Sequence, residues 1–447
     1  MDIDKFKTAW FLFKYSLVKR NAIPYFREVL RNQYLSRDEL EYLNWNRTKA
    51  LLQYAYEKVP YYKKRFDAMG LHPNDIVDPN DYCQVPVLTR KDLQEHFEDL
   101  VSVDARRGSL RLVTTGGSTG EPVKVYHEKR VVRAAMGWRM LAWWGLSPGT
   151  NFASVYRDIR TTWRARLANS LMWWPTQNIQ LNPAALEPEG MKKFIKQFNR
   201  ARPKLLHGYV GAVDHLASFI DANSLSVLPP NAIWVTSSPL TTVQERRIER
   251  AFSAPVYDQY GCCEVYWLAA QCPVKKGLHM FHDVRRIEFL DERDIPCQPG
   301  KLGKVAITDL ENYLFPIIRY LNGDMGRTLA GTCSCGVTLP LMDKVRGRVS
   351  DILKLPSGKC ISGDYLTTIF DDTPDAVRQF QVYQQADYSI QILVVPNSNY
   401  PRLEDVLALI RNNMKREVDN QVPVEIQKTH EIPQRGGKLR FIRSDVQ

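Results

Sequence analysis

Apolar and polar residues alternate with a helical period at the start of the chain. Apolar side chains recur there every three or four positions, with lysines among the residues between them, at Phe6, Trp10, Phe13 and Leu17. Residues 1–35 are therefore predicted to form a basic, amphipathic helical start, interrupted or ended at Pro24. Such a helix can pack on its own domain or lie on an anionic membrane surface, and the pattern leaves both interpretations open.

The middle of the chain alternates strand-like runs with helical patterns. Residues 36–100 have a largely helical pattern, and a further helix is predicted over Thr241–Phe252. The predicted strands between about 110 and 345 include Leu110–Thr114, Asn231–Thr236, Ala254–Tyr257 and Lys304–Thr308. Strands that alternate with helices in this way indicate an α/β layer architecture.

The last hundred residues have the pattern of a separate, small α+β unit. They contain a predicted strand over Tyr388–Pro396, a helix over Leu403–Val418 and a second strand over Val424–His430. We predict a domain boundary near position 346, which divides the chain into residues 1–346 and 347–447.

Composition agrees with a folded, multidomain protein. The chain has 447 residues, which exceeds one ordinary core of about 100–200 residues. Hydrophobic residues make up 44% and charged residues 25%, as in soluble globular proteins. No apolar run of transmembrane length is found, and no secretion signal is predicted. The eight cysteines are spread through the chain, which favours a metal site or free thiols in a cytoplasmic protein.

The net charge of +12 favours anionic partners. It does not choose among nucleotides, phosphates, acidic sugars and membrane surfaces. No nucleic-acid-binding motif is present, so nucleic acid is not an expected partner. The expected location is the cytoplasm, with attachment to the periphery of the inner membrane as the alternative for the N-terminal helix.

A loop rich in glycine and hydroxyl side chains follows the predicted strand at Leu110–Thr114. Its residues are Thr115, Gly116, Gly117, Ser118, Thr119 and Gly120. Glycines allow backbone N–H groups to turn inward, and hydroxyls add donors, so such a loop is suited to phosphate oxygens. It lacks the Gly-Lys-Ser/Thr ending of a Walker A loop, and by itself it can also be an ordinary flexible turn.

Four further motifs follow in a fixed order. They are Tyr260-Gly261-Cys262-Cys263-Glu264, Tyr320-Leu321-Asn322-Gly323-Asp324, the segment 347–354 that contains Arg348, and Arg435-Gly436-Gly437-Lys438 near the end. Together with the glycine-rich loop, this set resembles the adenylate-forming (AMP-forming) ligase superfamily. Within it, the chain is similar to the phenylacetate–CoA ligase-like group and to its capsular polysaccharide biosynthesis (CapK-like) branch. Segments 58–62 and 85–91 carry the resemblance to that branch.

The resemblance implies a fold and a reaction. The implied fold is α/β, with a large N-terminal adenylate-forming domain of mixed sheets and helices and a small, mobile α+β C-terminal domain. The implied enzyme uses ATP and Mg²⁺ to convert a small-molecule carboxylic acid into an acyl-adenylate, and then transfers the acyl group to a thiol such as CoA. The alternatives are an amide-forming ligase with an amine acceptor in capsule or O-antigen polysaccharide synthesis, and a catalytically inert nucleotide-binding scaffold in such a pathway. The oligomeric state is left open.

The resemblance also implies roles for individual residues. The loop Thr115–Gly120 is expected to hold the β- and γ-phosphates of ATP. The remaining roles are Tyr260 at the adenine, Glu264 at Mg²⁺, Asp324 at the ribose hydroxyls, Gly261 and Arg348 at the nucleotide, and Lys438 between the substrate carboxylate and the α-phosphate. A lysine suits this last role because it is a compact positive charge on a flexible stem. By family position, His207, Gly208 and Tyr209 are expected near the acyl pocket.

Three departures from the family pattern bear on these roles. Glu121 stands where phenylacetate-activating enzymes often have a lysine, and an acid there repels a triphosphate unless it points away or helps a metal. The segment 237–240 lacks the glutamate that many relatives carry. Ser350 occupies the hinge position where many members of the superfamily have Asp or Lys.

A second group of residues has metal-ligand chemistry. It consists of Cys272, His279, Cys333 and Cys335. Three thiolates and one imidazole can form a closed, tetrahedral zinc site of the structural kind. Similar placements occur in the phenylacetate–CoA ligase-like group. Free buried thiols are the alternative, and His282 is a reserve ligand.

Overall fold

The computed structural model describes residues 3–114, 123–156, 163–182, 186–345, 352–357, 360–362, 368–370, 376–432 and 442–446. The helices within them are α1 (Ile3–Val18), α2 (Ala22–Asn32), α3 (Arg37–Lys58), α4 (Pro60–Ala68), α5 (Arg90–Glu95), α6 (Ala134–Trp143), α7 (Trp163–Trp173), α8 (Pro188–Ala201), α9 (Val210–Ala222), α10 (Thr242–Phe252) and α11 (Leu403–Glu417). Short 3-10 turns lie at Pro73–Asp75, Asp81–Gln84 and Thr368–Phe370.

The strands of the first part of the chain are β1 (Leu110–Thr114), β2 (Lys124–Glu128), β3 (Phe152–Val155), β4 (Asn178–Leu181), β5 (Leu205–Tyr209), β6 (Ala232–Thr236), β7 (Val256–Cys262), β8 (Tyr266–Gln271) and β9 (Leu278–Met280). Those that follow are β10 (Arg285–Leu290), β11 (Gly303–Asp309), β12 (Tyr320–Gly326), β13 (Thr328–Leu329), β14 (Leu341–Met342), β15 (Ile352–Lys354), β16 (Cys360–Ser362), β17 (Val377–Gln384), β18 (Ile390–Pro396), β19 (Val424–Lys428) and β20 (Ile442–Ser444).

A nine-stranded sheet organises the larger part of the molecule. Its strand order is β13-β14-β9-β8-β7-β6-β5-β3-β4. Strands β4, β3, β5, β6 and β7 are parallel, and the pairs from β7 to β13 are antiparallel. The parallel strands are connected through α7, α8, α9 and α10, as parallel strands require a crossover. Because the parallel strands are covered on both faces, β6 is buried along its whole length.

Two hydrophobic cores cover the two faces of this sheet. On one face, α8, α9 and α10 pack through residues such as Phe194, Val213 and Ile248. On the other face, α1, α2 and α6 pack through residues such as Phe11 and Trp138. The N-terminal helix is therefore part of the domain core.

A second, three-stranded antiparallel sheet lies beside the first. Its order is β10-β11-β12, and it shares a core with α3 and α4 that includes Tyr62, Phe66 and Phe315. The two-stranded pair β1-β2 contributes Val125 to the same core. The larger part of the chain therefore combines mixed sheets with helices, as predicted.

The C-terminal part has its own core. Strands β19-β18-β17-β20 form one sheet, and α11 covers it through Leu407, Ile410 and Met414. The predicted α+β character of this unit is confirmed. The predicted boundary at 346/347 stays a prediction, because residues 346–351 lie outside the described residues.

Most strands and helices that the sequence predicts are present within a residue or two of their expected ends. Helix α10 begins where its sequence indicates, because the Thr241 side chain accepts the Gln244 backbone N–H in a capping box. The helical start of the chain differs in one detail: α1 ends at Val18, and Pro24 lies within the first turn of α2, where proline is tolerated. Among the described residues, no helix has the length and apolar character needed to cross a membrane.

Paired charges are buried where the chain passes from one sheet to the other. Between β9 and β10, Asp283 accepts a hydrogen bond from Arg139 of α6 at 3.0 Å, and both side chains are fully buried. At the start of β10, Arg285 pairs with Asp309 at 2.8 Å and with Glu311 at 2.7 Å. Because buried charges are costly without partners, these pairs specify one path for the chain between the sheets.

We predict that Asp283→Ala destabilises the fold by about 3–5 kcal/mol, because Arg139 would stay buried without its partner. The control is Asp343→Ala, which removes the partner of the partly exposed Arg327 and should cost less than about 1 kcal/mol. Denaturant unfolding followed by tryptophan fluorescence measures both. Equal losses for the two variants would contradict a special role for the buried pair.

Candidate functional site

The strand order of the large sheet creates a crevice between β3 and β5. From β3 the chain crosses through α7 to β4 on one side, whereas from β5 it crosses through α9 to β6 on the other side. The two crossover helices pack on opposite faces, because α7 contacts the core of α1 and α6 whereas α9 belongs to the core of α8 and α10. Ligands of open α/β sheets bind at such a switch point, outside the carboxyl ends of the strands.

Aromatic rings and one imidazole line this crevice. Tyr156 directly follows β3, and its ring centroid lies 4.4 Å from that of His207 and 4.1 Å from that of Tyr209, both on β5. On its other side, His207 stacks on Trp234 of β6 at 4.0 Å. Burial lowers the pKa of His207 to about 3, so the imidazole is neutral at physiological pH. Within the described part of the chain, His207 Nε2 and Trp234 Nε1 are buried without a hydrogen-bond partner.

A hydrogen-bonded group joins two of the sequence motifs. Tyr260 of β7 donates its phenolic O–H to Asp324 Oδ2 at 2.8 Å. Asn322 donates from Nδ2 to the same Asp324 oxygen and to the Tyr260 hydroxyl, both at 2.7 Å. Tyr260 lies on β7 of the nine-stranded sheet, whereas Asn322 and Asp324 lie on β12 of the three-stranded sheet. The motifs at 260–264 and 320–324 therefore meet where the two sheets adjoin. The Asp324 carboxylate is oriented by these two side chains.

Buried phenols serve as hydrogen-bond donors to both predicted carboxylates. Burial and the nearby Asp324 charge raise the pKa of Tyr260, so it stays protonated at neutral pH. Tyr320 donates to Glu264 Oε1 at 3.0 Å, and burial together with Glu264 raises its pKa. Both carboxylates are therefore fixed in direction by donors that do not titrate in the physiological range.

The strands that flank the glycine-rich loop lie beside Glu264. Thr114 and Lys124 are paired across β1 and β2, so the two ends of segment 115–122 are adjacent. His127 of β2 lies 2.8 Å from the Cys263 carbonyl through Nε2, next to Glu264 in the chain. Burial and the charge of Arg133 lower the pKa of His127 to about 3. This contact ties the β1-β2 pair to the segment that carries Glu264.

The predicted metal ligands come together. One ligand atom from each residue lies within 4.8 Å of the others in the group Cys272, His279, Cys333 and Cys335. The Cys272 and Cys333 sulfurs are 3.6 Å apart, and Cys335 Sγ is 3.3 Å from His279 Nε2. Sulfurs bound to one tetrahedral zinc lie about 3.8 Å apart, so the spacing fits.

Surrounding contacts orient this Cys/His cluster. His279 Nδ1 lies 3.0 Å from the Leu339 carbonyl, which places the proton on Nδ1 and leaves Nε2 as the ligand atom. The cluster can therefore hold a metal ion. The reserve ligand His282 lies outside it and contacts Glu41 at 2.8 Å.

Several predicted residues lie outside the described residues. They are Thr115, Gly116, Gly117, Ser118, Thr119, Gly120, Arg348 and Lys438. Close packing requires glycine at two other predicted positions, Gly208 and Gly261. A Cβ on Gly261 would lie 2.2 Å from the Tyr266 carbonyl oxygen, and one on Gly208 would lie 2.5 Å from the Val213 side chain. Their ligand-binding roles stay predictions.

Four side chains complete the site without having been assigned roles from the sequence: Tyr156, Trp234, Asn322 and Tyr320. Asn322 and Tyr320 stand inside a motif that was recognised, so their polar groups were a usable signal. Tyr156 and Trp234 gave none, because their position depends on the pairing of distant strands.

The chain resembles known proteins in sequence and fold. It is 22% identical over 437 residues to a phenylacetate-coenzyme A ligase of Thermus thermophilus, covering 91% of this chain and 97% of the relative. It is 26% identical over 324 residues to the Escherichia coli phenylacetate-coenzyme A ligase, covering 71% and 72%. The chain is thus similar in sequence to phenylacetate–coenzyme A ligases over most of its length.

Two other similarities extend the comparison. Residues 353–445 match the CapK C-terminal domain family, and Protein CapK of Staphylococcus aureus is 20% identical over 466 residues, covering 97% of this chain and 95% of the relative. The fold matches 2-hydroxyisobutyryl-CoA ligase bound to an acyl-AMP, with a TM-score of 0.74 and 19% identity over 93% of this chain and 91% of that one. The predicted α/β adenylate-forming fold is confirmed.

We predict that Gly261→Ala distorts the meeting point of the motifs, because its Cβ would meet the Tyr266 carbonyl at 2.2 Å. The expected loss is about 2 kcal/mol or more of stability. Gly137→Ala on α6 is the matched control, since its Cβ would make an ordinary 3.8 Å contact with Trp234 and alanine favours a helix. Thermal unfolding distinguishes the two, and a Gly261→Ala protein as stable as Gly137→Ala would contradict the packing explanation.

Proposed function

We propose that the protein is an ATP-dependent, AMP-forming carboxylate ligase that transfers the activated acyl group to coenzyme A. The observation that carries this proposal is the hydrogen-bonded group of Tyr260, Asn322 and Asp324, in which two family motifs from different sheets meet. The homology to phenylacetate–coenzyme A ligases supports it. Small-molecule acid, ATP and CoA are the proposed ligands.

The proposed roles follow from side-chain chemistry. An oriented carboxylate is suited to accept hydrogen bonds from a ribose diol, which is the role proposed for Asp324. Glu264 is proposed as a ligand of Mg²⁺, which when bound would neutralise charge on the phosphates. Thr115–Gly120 and Arg348 are proposed to bind the phosphates and the nucleotide. Lys438 is proposed to neutralise charge where the carboxylate meets the α-phosphate.

The proposed reaction proceeds in two displacements. A carboxylate oxygen attacks the α-phosphorus of ATP, the bond to the bridging oxygen breaks, and pyrophosphate leaves. The thiolate of CoA then attacks the acyl carbon, and AMP leaves. The aromatic crevice at Tyr156, His207 and Trp234 is the proposed acyl pocket. A neutral imidazole and an indole N–H in it can bind a polar substituent of the acid.

The test is incubation of the protein with Mg-ATP and a panel of aryl, fatty, hydroxy and amino acids, with hydroxylamine as a trap. We expect acid-dependent release of pyrophosphate and formation of hydroxamate. Lys438→Ala should lower the rate about 100-fold or more while ATP binding stays detectable, because it removes charge needed mainly in the transition state. Lys428→Ala, an exposed lysine of the same C-terminal unit, is the control.

Two outcomes would count against the proposal. Equal rates for Lys438→Ala and Lys428→Ala would remove the proposed role of Lys438. ATP binding without any adenylation across the panel would favour the inert scaffold.

An amide-forming ligase is the second candidate. Residues 353–445 match the CapK C-terminal domain, and the resemblance to the CapK-like branch implies capsule polysaccharide synthesis, for which an amine acceptor is the alternative to CoA. The fold is also shared with the amide bond synthetase McbA of Marinactinospora thermotolerans, at a TM-score of 0.51, 17% identity and coverage of 73% of this chain and 66% of that one. Discharge of a preformed acyl-adenylate by CoA, or by an amino sugar or amino acid instead, decides between the two acceptors.

We also propose that the Cys/His cluster holds a structural Zn²⁺. Three sulfurs and one imidazole nitrogen form a closed donor set with no open position, so the ion would serve stability. The ion would join the β8-β9 segment, which carries Cys272 and His279, to the loop at Cys333 and Cys335 between β13 and β14.

Metal analysis tests this site. The purified protein should contain about one equivalent of zinc, and chelation should lower its melting temperature. Cys272→Ser should lose most of the zinc, whereas Cys83→Ser, at an exposed free cysteine outside the cluster, should keep it. A folded wild-type protein without metal would refute the assignment.

A further inference from the structure

Two helices leave apolar faces exposed on the surface. On α1 the exposed apolar residues are Phe6, Phe13, Leu17 and Val18, and on α7 and the position directly after it they are Trp163, Leu167, Leu171 and Trp174. Positions 6, 13 and 17 share one side of α1, and positions 163, 167 and 171 share one side of α7. The exposed fractions are large, with 68% for Leu17, 70% for Trp163 and 63% for Leu171.

The two faces adjoin. The Trp10 ring of α1 meets the Trp174 ring edge-on, with centroids 6.5 Å apart. The Lys14 ammonium donates to the Leu171 carbonyl at 2.7 Å and also to the Trp174 carbonyl, at the end of α7. The apolar residues of both helices therefore form one surface, which we call the α1/α7 surface.

This surface is built into the domain. Phe11 on the opposite side of α1 is buried, and it stacks on Trp173 of α7 at 4.7 Å. Thr8 lies 2.6 Å from the Ser147 hydroxyl, and a Cβ on Gly149 would lie 2.4 Å from the Thr8 backbone nitrogen. The inner sides of both helices are therefore packed within the domain, and the apolar residues on their outer sides are exposed.

The charges around the α1/α7 surface are almost all positive. Among the side chains that the structure describes in residues 3–20 and 163–174, six are basic, Lys5, Lys7, Lys14, Lys19, Arg20 and Arg164, and one is acidic, Asp4. Asp4 is paired with Lys204, so its charge is compensated. A second copy of the chain would bring like charges together on this face, which disfavours self-association. A negatively charged partner is complementary.

We propose that the α1/α7 surface binds the surface of an anionic phospholipid bilayer. Helices that lie in a membrane interface combine bulky apolar residues, tryptophan in particular, with flanking lysine and arginine. Apolar side chains enter the acyl boundary, while the basic residues attract the headgroups. The inference does not depend on the catalytic proposal. It also gives a purpose to Trp163 and Trp174, which lie outside the hydrophobic cores.

Vesicle flotation of the full chain tests the proposal. The protein should float with vesicles of phosphatidylcholine mixed with phosphatidylglycerol, but not with phosphatidylcholine alone, and added salt should weaken binding. The double variant Leu167→Glu, Leu171→Glu should bind at least about tenfold more weakly, because it removes apolar contact and adds negative charge. Leu409→Glu, at an exposed position of α11, is the matched control and should bind as the wild type does.

Two further measurements keep the test decisive. If the α7 double variant does not fold, Phe13→Glu on α1 tests the same surface. Light scattering reports self-association in the absence of lipid. Absence of binding to anionic vesicles, or equal binding by wild type and double variant, would overturn the proposal. A wild-type dimer that the double variant converts into a monomer, without vesicle binding, would also overturn it and assign the surface to a second copy.

Discussion

The candidate site depends on the buried charge pairs where the chain passes from the nine-stranded sheet to the three-stranded sheet. Tyr260 belongs to the first sheet and Asp324 to the second, so their contact exists only if the sheets meet at a fixed angle and offset. Arg139 and Asp283 hold the connecting segment from one side, and Arg285 holds its far end. An apolar core tolerates small shifts, whereas a two-point contact between guanidinium and carboxylate does not. These pairs therefore act mainly by fixing the position of one sheet relative to the other, and less by adding to the free energy of folding.

The second determinant is the strand order. Because β3 and β5 are neighbours whose crossovers depart to opposite sides, the switch point of the sheet lies at their carboxyl ends. The aromatic residues at these ends pack against one another. The same topology places α7 on one face of the sheet. Tyr156, which lines the crevice, precedes Trp163 at the start of α7 by seven positions. The crevice and the α1/α7 surface are thus neighbours along the chain.

Sequence reasoning succeeded where the signal is local. The strand at Leu110–Thr114 and the helix capped by Thr241 follow from periodicity and capping chemistry. The Cys/His cluster was predicted because thiolates and imidazoles are both preferred zinc ligands, and a shared ligand preference can be recognised without knowing the fold. The family resemblance assigned Tyr260 to the adenine and Asp324 to the ribose, but it did not predict the hydrogen bond between the two side chains.

Sequence reasoning was limited where the outcome depends on distant pairing. The sequence does not distinguish buried from exposed tryptophans in the segment after the glycine-rich loop. Trp138 and Trp144 are buried, whereas Trp163 and Trp174 are exposed. Tyr156 and Trp234 approach His207 only because β3, β5 and β6 are adjacent. Nothing within either segment encodes that adjacency, since strand order results from the packing of the whole sheet.

The close approach at Gly149 has a consequence for how this protein can diverge. The backbone of Thr8 lies where a side chain at position 149 would be, so any larger residue there would force α1 or the segment at position 149 to shift. The strands that carry the aromatic crevice and the motif contacts would remain intact. A related chain with any other residue at this position would therefore have to place its N-terminal helix differently against the domain.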